Sequence, residues 1–298
     1  MAAAPPTSSY HIPNLYNLHG LVAVVTGGGT GIGLMIARGL AENGARVYIT
    51  GRRREVLERV VNSGAIKGEV VALPMDVTSK PSILEAKKTL QEKEGKIHVL
   101  VNNAGQVGPI SSWFNDLSSP NHKDAETLGQ ALFDESEQGW ADLYAINVYP
   151  LFFVTMAFLG LLDNGAKDPQ KPGYTSSVIN ITSMSSMMKQ AQEHFAYNAA
   201  KAAASHLTRM MATEFALKHV PVRVNAIAPG MYESEMTKDV ISPEELDKMA
   251  KGVVPIPAKR PGTGEEMAGT VVYLASPSGC YANGQEIVID GGCLAVNP

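Results

Sequence analysis

Cysteine is nearly absent: Cys280 and Cys293 are the only two in 298 residues. Two thiols cannot form a disulfide framework, so a reducing compartment is expected. The cysteines and the seven histidines show no metal-ligand spacing, so no metal site is expected. A surplus of charge of one sign is also lacking. Twenty-five Lys and Arg face 29 Asp and Glu, for a net charge of −4, which offers nucleic acid no basic surface. No apolar run reads as long enough to span a membrane. Residues 1–17 are uncharged apart from His11 and have no apolar h-region. They read as a flexible arm, not a signal peptide. The ending Ala295-Val296-Asn297-Pro298 is not a peroxisomal address. A cytoplasmic protein without a membrane partner is the expectation.

What is present is apolar residue in quantity, 45% of the chain, enough for one large core. Short apolar runs recur at Leu21 to Val25, Arg46 to Thr50, Val70 to Leu73, Ile97 to Val101, Ser177 to Ile181, Val222 to Ala228 and Glu286 to Ile289. Helical stretches separate most of them, such as Ile32 to Glu42, which Asn43-Gly44 stops. Strands alternating with helices predict an α/β fold: a single-domain, doubly wound parallel sheet of about seven strands with helices on both faces. The domain is expected to run over residues 18–298. Two stretches break the rhythm. Residues 106–139 form a long polar insertion with Trp113 and Phe114, fit for a substrate, a partner subunit or solvent. Residues 163–174 read as a solvated, turn-rich loop.

Glycines punctuate the first strand–helix junction. Gly27, Gly31 and Gly33, with Thr30 and Ile32 between them, follow a strand and open a helix, where free N–H groups and the helix dipole suit a pyrophosphate. About 20 residues on, an NAD site usually carries an acid for the ribose 2′-OH. Here the strand tip reads Thr50-Gly51-Arg52-Arg53. Guanidinium groups suit a 2′-phosphate, so NADP(H) is predicted, with Arg52 first and Arg53 second. Tyr197 and Lys201 share one helical face. A phenol is a poor proton shuttle near neutrality unless a neighbouring cation favours its phenolate, and Lys201 stands where it could supply that bias.

The order Thr26 to Gly33, Asn102-Asn103-Ala104-Gly105, Ser183 and Tyr197-Asn198-Ala199-Ala200-Lys201 resembles the short-chain dehydrogenase/reductase family over nearly the whole chain. The resemblance implies that Tyr197 is the general acid/base, that Lys201 also holds the nicotinamide ribose, and that Ser183 binds the substrate oxygen. It implies a fourth catalytic position at Asn147, whose backbone binds a relay water. It implies that Asp76 bonds the adenine amino group and Val77 packs on the ring, with Asp76 equally readable as a helix cap before Lys80. Asn102, Asn103, Ala104 and Gly105 would line the adenosine ribose and brace the sheet, with Pro229 and Gly230 closing the sixth strand. Ser234 stands where the family has a threonine on the carboxamide. The gap from Ser183 to Tyr197 is one residue longer than usual, so Ser185 and Ser186 stay open as alternatives.

Around the expected nicotinamide, Met187, Met188, His194, Phe195, Met231, Tyr232 and Met236 suggest a medium-sized apolar or aromatic carbonyl or alcohol. The residues around Asn147 to Leu161 read as one helix, apolar nearly all round. In the resembled family this helix pairs between subunits, as does the strand after Gly284-Gln285, so a homodimer or homotetramer is expected. Two other functions compete with an NADP(H)-dependent oxidoreductase: a cofactor-binding cyclase or isomerase, and a nucleotide-sensing protein without turnover.

Overall fold

The alternation along β1 (Val22–Thr26) decides which helices cover which face. Ala23 and Val25 turn into one core and Val22 and Val24 into another, as the two-residue period of a strand requires. In this computed structural model residues 10–233 and 256–297 are described. β2 (Arg46–Gly51), β3 (Glu69–Pro74), β4 (Val99–Asn102), β5 (Ser176–Ile181), β6 (Val222–Pro229) and β7 (Glu286–Ile289) join β1. The seven strands lie in the order β3-β2-β1-β4-β5-β6-β7, and every pairing is parallel. The chain leaves β1 in one direction for β2 and β3, and returns on its other side for β4. That reversal opens a crevice at the strand C-termini, where doubly wound sheets bind ligands.

Two helix layers close the sheet. α2 (Gly31–Glu42) repeats its apolar residues at helical spacing, so Ile36, Ala37, Leu40 and Ala41 meet the sheet together. Beside it, Met267 and Val271 enter the same core from a helix over Gly264–Ala275, which a reciprocal Thr263–Glu266 capping box opens. The opposite face is covered by α4 (Lys80–Lys93), α7 (Tyr149–Ala166) and α8 (Phe195–Leu217), which supply Ile83, Leu90, Val154, Phe158, Met211 and Phe215. Between β2 and β3, α3 (Arg54–Asn62) buries Leu57.

The expected strands are found within about two residues of their predicted ends. The single apolar helix expected around Asn147 is instead two. α6 (Glu137–Asn147) stops at Val148, and Pro150 sits in the first turn of α7, where its missing N–H costs no hydrogen bond. Glu137–Ala166 together is long and apolar enough to cross a membrane by length and composition, with mean hydropathy 1.9 over its most apolar 18 residues, which the uninterrupted runs did not reveal. Here Val154, Phe158, Leu161 and Leu162 of that stretch pack on the sheet.

The two irregular stretches carry more structure than their composition shows. Within residues 106–139, α5 (Ala125–Phe133) is capped by Asp124, whose Oδ1 accepts from Thr127 N at 2.8 Å. Trp113, Phe114 and His122 form a ring cluster that continues to Phe195, 5.1 Å from Phe114 between centroids. The solvated, turn-rich reading of residues 163–174 holds only in part: Asn164, Lys167, Pro169, Gln170, Pro172 and Gly173 are exposed, but Gly165, Asp168 and Tyr174 are buried. The first residues of the stretch finish α7, the Asp168 side chain is 1% exposed and pairs with Lys96 at 2.6 Å, and Tyr174 Oη donates to Ala275 O at 2.8 Å. At the other end of the chain, residues 12–15 form a short helix, α1 (Ile12–Leu15), held where Ser278 Oγ donates to Leu15 O at 2.8 Å.

Candidate active site

A cleft of about 600 Å³ opens over the C-terminal ends of the central strands. Gly27, Thr30, Gly31, Ile32 and Gly33 form one wall at the start of α2. Gly27 has φ +64°, and a Cβ on Gly33 would lie 2.1 Å from Gly27 O. The turn therefore closes only without side chains, and a ligand can approach its backbone directly. The N-terminal N–H groups of α2 open onto this wall, a setting that favours an anion. A dinucleotide phosphate fits such a cradle.

The glycine turn is fastened to the segment after β4. Thr26 Oγ1 accepts from the N–H groups of Asn103 (2.9 Å) and Ala104 (3.1 Å). Asn103 Nδ2 returns bonds to Thr26 O (2.9 Å) and Gly27 O (3.2 Å). Asn103, Ala104 and Gly105 all line the cleft. Asn147 does not; it is 1% exposed behind that wall, at the end of α6. Its Oδ1 accepts from Gln106 N and its Nδ2 donates to Gln106 O, both at 2.9 Å. This side-chain clamp was not legible in the sequence. Gln106 and Val107, which also line the cleft, were missed; their place directly after Gly105 was the available signal.

At the far end stand Arg52 and Arg53, exposed at the tip of β2 and lining the cleft. With Arg54 they crowd cations at the N-terminus of α3, where the dipole favours anions. Asp76 and Val77 line the same end. The helix-cap reading of Asp76 gives way: Ser79 caps α4, accepting from Ser82 N at 3.4 Å. Asp76 Oδ1 instead accepts from Thr78 N (2.9 Å) and Thr78 Oγ1 (2.7 Å).

The chemical end lies between β5 and α8. Ser183 follows β5, and Tyr197 and Lys201 stand one turn apart on α8; all three line the cleft. Lys201 Nζ donates to Ile181 O at 2.9 Å and lies 5.6 Å from the centre of the Tyr197 ring. Burial pushes its ammonium down to about 8. Burial also raises the Tyr197 phenol above its ordinary value, with a hydrogen bond from Ser183 acting the other way. From the sequence, Lys201 is expected to favour the phenolate. The shift runs upward instead, because desolvation dominates and the lysine gives its hydrogen bond to Ile181 rather than to the phenol. Pro229 and Gly230 close the cleft at the end of β6. Ser234 and Met236 lie outside the described residues.

Comparison with known proteins shows the family. A family model described as enoyl-(acyl carrier protein) reductase matches residues 27–293. The short-chain dehydrogenase/reductase PhomF of Diaporthe leptostromiformis is 38% identical over 98% of this chain and 97% of its own. The chain belongs to the short-chain dehydrogenase/reductase family. Members of this family bind a nicotinamide cofactor and act on small molecules. Among solved relatives, a Pseudomonas aeruginosa RhlG/NADP active-site complex is 32% identical with a TM-score of 0.79, over 93% of this chain and 98% of that one. A 7α-hydroxysteroid dehydrogenase with NADH and 7-oxo glycochenodeoxycholic acid is 29% identical with a TM-score of 0.78, over 96% of this chain and 98% of that one.

Within this family frame, the three serines after β5 part company. Ser183 lines the cleft and accepts from Ser185 N at 3.1 Å. Ser186 Oγ turns to Glu286, 3.4 Å from Oε1, and neither Ser185 nor Ser186 lines the cleft. Of the side chains expected over the nicotinamide, Tyr232 lines the cleft. Met188 is instead buried with Ile256 and Cys293, with Met231 packed against them. Phe195 joins the insertion's ring cluster through Phe114, away from the cleft lining.

Proposed function

We propose that this short-chain dehydrogenase/reductase is an NADP(H)-dependent oxidoreductase acting on a carbonyl or secondary alcohol of a medium-sized, apolar or aromatic substrate. One observation carries the proposal: Ser183, Tyr197 and Lys201 face the same cleft as the glycine turn. The bound cofactor supplies or accepts the hydride. Tyr197 gives its phenolic proton to the substrate oxygen in reduction and takes it back in oxidation. Ser183 donates a hydrogen bond to that oxygen as its charge develops. Lys201 stabilises the phenolate left on Tyr197 and holds the cofactor's ribose. Asn147, at the break between α6 and α7 and clamped to Gln106, holds the relay position through its backbone.

The choice of NADP(H) rests on the tip of β2. Arg52 and Arg53 line the cleft there and no acid stands between Thr50 and Arg54. Solved relatives carry NADP in one case and NADH in another, so these arginines make the difference. Val107, Ile146 and Tyr232 give the cleft apolar walls, in keeping with an apolar substrate. Tyr149, Phe152 and Phe153 stay 52, 40 and 38% exposed on α7, which supports burial between subunits of a homodimer or homotetramer. Melting curves with NADP⁺ and NAD⁺, followed by cofactor-oxidation assays over a panel of ketones, test the assignment. A shift with NADP⁺ and turnover of a ketone are expected. A shift with NAD⁺ alone contradicts the 2′-phosphate reading, and cofactor binding without turnover favours a sensing or isomerising role.

A further inference from the structure

The groups assigned to proton transfer come from two elements. Ser183 follows β5, whereas Tyr197 and Lys201 belong to α8. Their spacing is set by whatever ties the end of β5 to α8. One tie is the bond from Lys201 to Ile181. A second is made by a third element.

Glu286 opens β7, and its side chain is 5% exposed. Its Oε1 accepts from Thr182 Oγ1 at 2.7 Å and from Ser186 Oγ at 3.4 Å. Its Oε2 accepts from Ser205 Oγ and from Arg209 Nη2, the latter at 3.0 Å. The placement of these donors matters. Thr182 immediately precedes Ser183. Ser186 ends the 3-10 turn that Ser183 caps. Ser205 stands one helical turn beyond Lys201 on α8, and Arg209 one turn further. One oxygen thus holds the chain on either side of Ser183, and the other holds the helix that carries Tyr197 and Lys201. A carboxylate withdrawn from water needs partners of this kind. An apolar residue would cover the same strand end without linking the two elements.

We infer that Glu286 is a positioning residue, a carboxylate clamp that fixes Ser183 relative to Tyr197 and Lys201. It does not line the cleft and acts only through the elements it joins. The inference rests on the oxidoreductase reading of the site, and its consequences separate from that reading. Removing the clamp lets the segment 182–186 move against α8, while the glycine turn that cradles the cofactor keeps its own bonds to Asn103 and Ala104.

The test compares the full-length protein with Glu286→Ala, Glu286→Gln and Glu286→Asp, each checked for a cooperative melt. In Glu286→Ala, kcat for ketone reduction falls about tenfold to hundredfold, the loss expected of a misplacement of roughly 1 Å. KM for NADPH stays within about twofold, because the cofactor cradle is untouched. Glu286→Gln, which keeps the shape and one acceptor, recovers part of kcat. A crystal structure of Glu286→Ala shows Ser183 displaced from Tyr197. Unchanged kcat in Glu286→Ala, equal losses in kcat and cofactor affinity, or an undisplaced Ser183 would each overturn the inference. If Glu286→Ala does not fold, Thr182→Val and Ser205→Ala, each removing one anchor, take its place with the same expectations. If the wild type reduces no ketone, the functional proposal fails, and the crystallographic comparison alone decides the clamp.

Discussion

Lys201 gives a hydrogen bond to Ile181 O at 2.9 Å, joining a helix that carries two groups of the site to the strand that presents the third. Burial raises the Tyr197 phenol above its ordinary value, with the bond from Ser183 acting the other way. The phenol is thereby held in its protonated form, the form that a proton donor for carbonyl reduction needs.

Tyr197→Phe should therefore remove the proton donor and leave the cofactor cradle intact. Turnover is expected to fall by about 10²- to 10⁴-fold. The rise in melting temperature on adding NADP⁺ should match that of the wild type. Loss of both together would mean that Tyr197 supports the cofactor cleft rather than the chemistry.

Burial holds the Lys201 ammonium at about 8. A group lowered in this way loses its charge as pH rises through that value. kcat/KM for the cofactor, which reports the free enzyme, should decline on the alkaline side around pH 8. Lys201→Arg keeps the charge to far higher pH, so that decline should disappear even if the absolute rate is lower. A decline unchanged in Lys201→Arg would assign it to another group.

Arg52→Ala bears on the choice between cofactors. Loss of a charge-assisted pair with a 2′-phosphate removes about 1.5–3 kcal/mol. KM for NADPH should rise by about tenfold to hundredfold, with KM for NADH little changed. Equal effects on the two cofactors would place Arg52 outside 2′-phosphate recognition.

Asp168 predicts a pH-dependent share of stability far from the cleft. Burial pushes its carboxyl upward, but bonds from Lys96, Gln170 N and His98, with the charge of Lys96, overcome this and hold it at about 2. His98 Nδ1 accepts from Val22 N at 2.9 Å, so Nε2, 3.2 Å from Asp168, carries the proton of a neutral ring. A carboxyl held below its ordinary value contributes its stability in full above that value, near pH 4. The contribution fades as pH falls towards about 2. Asp168→Asn should cost about 2–3 kcal/mol at neutral pH. In urea unfolding the gap to the wild type should narrow below about pH 4; a gap that does not change with pH would refute the charged pairing.

How much of this was legible in the sequence depended on whether the signal was local. The glycine turn was visible because Gly27 and Gly33 occupy positions that no side chain fits. The strands were visible because both faces of the sheet are covered, which makes their residues continuously apolar. α5 was passed over: Ala125, Leu128, Ala131 and Leu132 do fall at helical spacing, but Gly129 interrupts them and none of its residues is buried. Asp168 read as solvated because its partner His98 lies 70 residues earlier in the chain. Glu286 was singled out only as the start of the last strand, since the sequence does not reveal that Thr182 and Ser205 converge on it. Asn147 stood out by its position, yet its hold on Gln106 required the packing of α6 against the wall of the cleft.

The most direct measurement is the initial rate of NADPH and NADH oxidation over a panel of apolar and aromatic ketones, by the wild type and by Tyr197→Phe in parallel. Turnover of at least one ketone with NADPH, at least about tenfold slower turnover with NADH, and loss of the NADPH rate in Tyr197→Phe are expected. An NADPH rate that survives in Tyr197→Phe, or a preference for NADH, would contradict the proposed function.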